Sequence, residues 1–178
     1  NCKSRYQVTQ SSIERLGLET QLDGHRGCVN CLQWSMNGDL LASGSDDYKI
    51  MIWQPFSKKK LAKEFSTDHE GNIFSVKFMP YTNNNLLVSG AADKKIKLHD
   101  ISQSKTVITF ANHLNRVKRL DVAQDCPSLI WSASEDGTVM ETDIRAPPTE
   151  TNVLINLNSI LGKQAEAKCV SINQRRPE

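Results

Sequence analysis

The stretch "SGSDDYKIMIWQ", Ser43 to Gln54, carries two adjacent carboxylates, Asp46 and Asp47, ahead of an alternating apolar run. Paired acids can perform general acid–base chemistry or hold a hard metal ion. The rest of the chain decides otherwise, because the stretch recurs. It returns as "SGAADKKIKLHD" (Ser89 to Asp100) and as "SASEDGTVMETD" (Ser132 to Asp143). Asp47, Asp93 and Asp136 align, whereas Asp46 aligns with Ala92 and Glu135. The repeated acid is a single aspartate at a turn.

A histidine precedes each copy. His25, His69 and His113 are spaced 44 residues apart. Each is followed by a strand-like run, "CVNCLQW", "NIFSVKF" or "NRVKRLDV", then by turn residues and by "LLAS", "LLVS" or "LIWS". A last strand-like piece closes each period: "KLAKEF", "KTVITF", "NVLINL". Each period thus holds four short strands of period-two alternation joined by polar turns. No helical pattern interrupts them. The exception is "SSIERLGL" near the start, where Ser11 and Glu14 have capping-box spacing and predict a short helix or turn.

Four strands in about 44 residues, with G-H at one end and W-D at the other, is the signature of a propeller blade. "GHRGCVNCLQWSMNGDLLASGSDDYKIMIWQ" resembles a WD repeat, with Gly24-His25 as the G-H and Trp53-Gln54 as the W-D. His99-Asp100 and Thr142-Asp143 keep the aspartate and lose the tryptophan. The expected fold is all-β: a partial β-propeller of about three WD blades plus the start of a fourth, built from four-stranded antiparallel sheets. The expected divisions are a lead-in with a short helix or turn and a closing strand (1–22), three repeats (23–66, 67–110 and 111–157), and a truncated fourth (158–178). "AEAKCVSIN", Ala165 to Asn173, is the expected first strand of that fourth blade. The chain opens on Asn1 rather than Met and stops early in a blade, which predicts a piece of a longer protein.

The resemblance to the WD-repeat family implies a buried hydrogen-bonded set in each blade. In the first it comprises His25, Ser43, Asp47 and Trp53. In the second it comprises His69, Ser89 and Asp93, and in the third His113, Ser132 and Asp136. The last two lack the tryptophan, so shorter networks are expected there. A His–Ser–Asp trio invites a catalytic reading, but three copies at one place in a structural repeat argue for a structural role. No phosphate loop, H-E-x-x-H or nucleophile elbow occurs, so no catalytic, cofactor or metal residues are assigned. Cys28 and Cys31 form a lone C-x-x-C on a strand, where positions three apart face opposite ways. They are expected to be ordinary half-buried thiols. Five cysteines and no secretory pattern favour a reducing compartment, cytoplasm or nucleus.

A closer resemblance covers essentially the whole chain. "YQVTQSSIERLGLETQLDGHRGCVNCLQW", "NHLNRVKRLDVA" and "EAKCVSIN" are similar to the N-terminal region of the adipose-type WD and tetratricopeptide repeats family. That resemblance implies a non-catalytic scaffold, part of a substrate receptor of a cullin–RING ubiquitin ligase, with links to chromatin regulation and fat storage. Its partners would be the ligase adaptor and ubiquitination substrates, with neither membrane nor small-molecule substrate. Adaptor-binding members carry a W-D-x-R box, which places the adaptor contact at Asp143 and Arg145 in "TDIR"; Thr142 departs from the pattern. The alternative is direct binding of histones or other acidic chromatin partners through basic loops. Those would be Lys58 to Lys60, then Lys94, Lys95 and Lys97, then Arg116, Lys118 and Arg119. Net charge is only +2, far from that of a dedicated nucleic-acid binder.

Overall fold

The computed structural model describes residues 9–174. Twelve strands form three four-stranded antiparallel sheets. The first contains β1 (Val29–Trp34), β2 (Leu41–Ser45), β3 (Lys49–Trp53) and β4 (Leu61–Ser66). The second contains β5 (Ile73–Phe78), β6 (Leu86–Ala91), β7 (Ile96–Asp100) and β8 (Lys105–Phe110). The third contains β9 (Val117–Asp121), β10 (Leu129–Ser134), β11 (Thr138–Asp143) and β12 (Asn152–Asn156). Strands pair in sequence order within each sheet, so each sheet is a meander. The register is equivalent in all three, with Leu32 opposite Ser43, Val76 opposite Ser89 and Leu120 opposite Ser132. These are propeller-like blades, and the described residues do not close a ring.

Alternation along the strands builds two seams. Ala42, Ile50, Ile52 and Phe65 of the first sheet pack against Ile73, Val76 and Leu87 of the second. Val88, Ile96, Leu98 and Phe110 pack against Val117, Leu120 and Ile130 of the third. Adjacent residues such as Leu87 and Val88 therefore serve different seams, the outcome a period of two enforces. Full burial of each such side chain stabilises by roughly 1.5–3 kcal/mol. The first strands of the sheets lie side by side and are bonded across the seams. Asn30 Nδ2 donates to the Ile73 carbonyl (3.1 Å), and the Leu120 N–H donates to Ser75 Oγ (3.0 Å). A glycine lets the seams close: a Cβ at Gly44 would lie 2.6 Å from Ile73 and 2.8 Å from Cys31.

Several local expectations change. α1 spans Gln10–Glu14, and its cap is Thr9, whose Oγ1 accepts from the Ser12 N–H, rather than the Ser11–Glu14 box. Gln10 holds Glu14 instead. Residues 15–22 form no strand, and a closing strand within 1–8 would lie outside the described residues. β12 stops at Asn156, and a second short helix, α2 (Leu157–Leu161), follows it. Asn156 caps α2 through the Ser159 N–H, and Gly162 ends it in the left-handed region at φ 63°. Ala165 to Asn173, expected as the first strand of a fourth blade, is not a strand among the described residues. It binds the third sheet singly, Ala167 N–H to the Ser134 carbonyl and Ile172 N–H to Asp121.

Candidate functional site: three buried networks and an exposed Asp–Arg pair

Each blade carries the same buried chain of hydrogen bonds. In the first, Asp47 accepts from His25 Nδ1 (2.9 Å) and from the Arg26 and Lys49 N–H groups. His25 Nε2 meets Ser43 Oγ at 2.7 Å, and Trp53 Nε1 donates to that oxygen at 2.9 Å. An ionised carboxylate only accepts, so Nδ1 carries the proton, and Nε2 is left to accept from the serine hydroxyl. Asp93–His69–Ser89 and Asp136–His113–Ser132 repeat the pattern at 2.7–2.9 Å. Burial acts to raise the Asp47, Asp93 and Asp136 pKa values. The hydrogen bonds they accept outweigh it and hold all three below the usual carboxylate range. Asp46 is separate: it accepts from Asn30 (2.6 Å) and touches no histidine network.

The turn after each aspartate is left-handed at one residue: Tyr48 (φ 62°), Lys94 (φ 69°) and Gly137 (φ 83°). In each repeat this residue directly follows the aligned aspartate. It lets the aspartate oxygens reach the N–H two residues on, as in Lys49 and Lys95.

The second network is not shorter than the first. His99 occupies the column of Trp53, and its Nε2–H donates to Ser89 Oγ at 2.7 Å. Its Nδ1 accepts from Thr106 Oγ1 at 3.2 Å, which extends the chain to β8. Sequence reasoning missed this role, although the alignment of His99 with Trp53 held the signal: imidazole, like indole, has a ring N–H. Desolvation by burial, with His69 and Lys97 nearby, pushes the His99 pKa down to about 3. The third network is shorter, as expected. Thr142 turns to Thr151 (3.1 Å), and Thr138 Oγ1 compensates by donating to Asp136 (2.6 Å).

The serines are structural members of these networks. Ser43 is 2% exposed and Ser89 and Ser132 are 0% exposed, and each hydroxyl is already held by a histidine ring. Cys28 is exposed, while Cys31 is buried in the first seam, where desolvation pushes its thiol up to about 12. Neither is half-buried, because the register turns one outward and the other into the core. Among the described residues no group of His, Cys, Asp and Glu is placed to hold a metal ion.

The basic residues separate into paired and free ones. Glu135 gathers Arg116 (3.9 Å), Lys118 (3.7 Å) and Lys168 (3.2 Å), and Lys118 also sits 3.5 Å over the Phe74 ring. Lys95 pairs with Glu70. Lys97, expected on a basic surface, is buried and donates to the Asp68 carbonyl (2.6 Å). Arg119 and Lys94 are exposed.

Asp143 ends β11, and Arg145 follows two residues later. Asp143 accepts from the Arg145 backbone N–H (2.9 Å), from Nε (3.0 Å) and from Nη2 (2.6 Å). The Arg145 side chain is 74% exposed. Its hydrogen bonds to Asp143 hold that carboxyl low and the guanidinium high. The pair stands at the end of the sheet where the β11–β12 connection leaves.

Three meandering four-stranded sheets with an Asp–His–Ser network at one position in each define a segment of a WD propeller. The chain belongs to the WD-repeat family. Residues 17–54 and 59–100 match the family described as WD domain, G-beta repeat. The chain is 48% identical over 169 residues to WD and tetratricopeptide repeats protein 1 of Homo sapiens, covering 95% of this chain and 25% of that protein. It is 36% identical to DDB1- and CUL4-associated factor 6 of Homo sapiens over 80% of this chain and 17% of the relative. For DDB1- and CUL4-associated factor 5 of Homo sapiens the identity is 35%, over 70% and 13%. The chain therefore spans about a quarter or less of the length of these relatives.

Proposed function

We propose that this segment is a non-catalytic scaffold in a substrate receptor of a cullin–RING ubiquitin ligase, and that Asp143 and Arg145 contact the adaptor. The carrying observation is the geometry of that pair. Asp143 engages Nε and one side of Nη2, which fixes the guanidinium plane. The remaining N–H donors, on Nη1 and the outer side of Nη2, point away from the carboxylate. An exposed arginine held in one orientation is a suitable interface anchor, because less side-chain entropy is lost on docking. The names of two relatives, which refer to DDB1 and CUL4, support DDB1 as the adaptor. The proposed setting is the cytoplasm or nucleus; roles in chromatin regulation and fat storage would belong to the whole receptor.

The test is a DDB1 titration of the full-length protein with a thermal melt alongside. Arg145→Ala should weaken binding at least about tenfold, as loss of a central interface arginine does, and leave Tm unchanged. Arg26→Ala, in a first-blade loop, should change neither. Unaltered affinity with Arg145→Ala would remove this contact from the proposal. The alternative of histone binding through basic loops is weaker, since Lys95, Lys97, Arg116 and Lys118 are already engaged within the chain.

A further inference from the structure

One surface of the molecule combines exposed aromatics, backbone strain and free positive charge. It lies where β1 and β5 end and where the β3–β4 connection turns back. Trp34, 44% exposed at the end of β1, stacks on Phe56 of the β3–β4 loop, itself 76% exposed. The ring centroids are 6.0 Å apart and the planes 11° from parallel. Trp34 also lines a cavity of about 480 Å³ together with Met36, Met79 and Tyr81. Within that cavity Lys77 and Asp121 neutralise one another at 3.0 Å, so its lining mixes apolar side chains with neutral polar ones such as Gln33 and Gln124 and carries no free charge.

Tyr81 stands at the rim, 69% exposed. It is held there by a loop with three left-handed residues: Tyr81 (φ 56°), Asn83 (φ 51°) and Asn84 (φ 59°). Asparagine tolerates left-handed backbone by bonding locally, but at Tyr81 it is strained, and the exposed ring gains little packing in return. Strain of this kind concentrates where a ligand is clamped. Beside Phe56, Lys58 and Lys59 are exposed and make no ion pair among the described residues. The carboxylate of the β1–β2 loop, Asp39, is held by Asn37 Nδ2.

We propose that this surface docks an acidic peptide segment of a partner protein. One large apolar side chain of the peptide enters the cavity beside Trp34 and Tyr81, and its acidic residues meet Lys58 and Lys59. A nucleic acid fits less well. Trp34 and Phe56 already cover one face of each other, and two lysines are too few to track a phosphate backbone. Arg145 is not among the residues that line this cavity.

The test uses the full-length protein and fluorescence anisotropy with three probes: a glutamate-rich peptide with one central phenylalanine, the same peptide with a central serine, and oligothymidylate. The phenylalanine peptide should bind saturably and at least about tenfold more tightly than the serine peptide. Lys58→Glu combined with Lys59→Glu, and separately Tyr81→Ala, should each weaken it by about tenfold or more. Lys94→Glu should leave it unchanged, and thermal melts confirm folding of each variant. The proposal is overturned by absence of saturable binding, by equal affinity for the two peptides, by tighter binding of oligothymidylate, or by wild-type affinity in the lysine and Tyr81 variants.

Discussion

Replacing His99 with glutamine should flatten the pH dependence of propeller stability between pH 7 and 5. His99 is 0% exposed and its folded-state pKa is about 3, against an ordinary 6.5. The folded pKa is depressed, so below 6.5 the unfolded chain takes up a proton that the folded chain refuses. Stability is therefore full above about 6.5 and falls as the pH drops toward 3. The slope for one proton is at most about 1.4 kcal/mol per pH unit, which integrates to about 2 kcal/mol between pH 7 and 5. Glutamine does not titrate, yet its amide can donate to Ser89 and accept from Thr106, the two bonds His99 makes. The assay is urea unfolding of the full-length protein at both pH values, comparing wild type with His99→Gln. Wild type should lose about 2 kcal/mol more than the variant. Equal losses would show that the charged imidazole is accommodated, and that His99 is not the neutral link between Thr106 and Ser89.

Other outcomes follow from the same geometry. Asp47→Ala should destabilise by roughly 1.5–3 kcal/mol, the range for hydrogen bonds to a charged group, whereas Asp46→Ala should stay within about 0.5 kcal/mol; equal effects in urea unfolding would break the repeat assignment. Gly44→Ala should cost roughly 1–3 kcal/mol by overpacking the first seam, measured as a fall in Tm. Lys94→Gly should raise stability by about 1 kcal/mol, because it relieves an exposed left-handed residue, and a loss instead would mean the Lys94 side chain has a stabilising contact. Arg145→Ala should separate adaptor affinity from folding, as set out above.

The sequence by itself determined the blades and the recurring turn aspartates, while the Asp–His–Ser columns were implied by the resemblance to WD repeats. The former are local or periodic quantities: a period of two turns alternate residues to opposite seams, and a repeat of 44 residues returns each histidine and each aspartate to the same place in its own blade. It also separated Asp47 from Asp46, since only one of them recurs. What it did not decide was who completes each network. His99 replaces Trp53 because β6 and β7 bring an imidazole N–H within 2.7 Å of Ser89, a distance set by the pairing of two strands. The burial of Lys97, the gathering of three cations on Glu135 and the bidentate hold of Asp143 on Arg145 were likewise decided by tertiary structure. Charge counts along the chain describe how many cations exist. Only the fold decides which of them a carboxylate or carbonyl has already claimed, because the electrostatic attraction between charges depends on their separation in space and on the solvent between them.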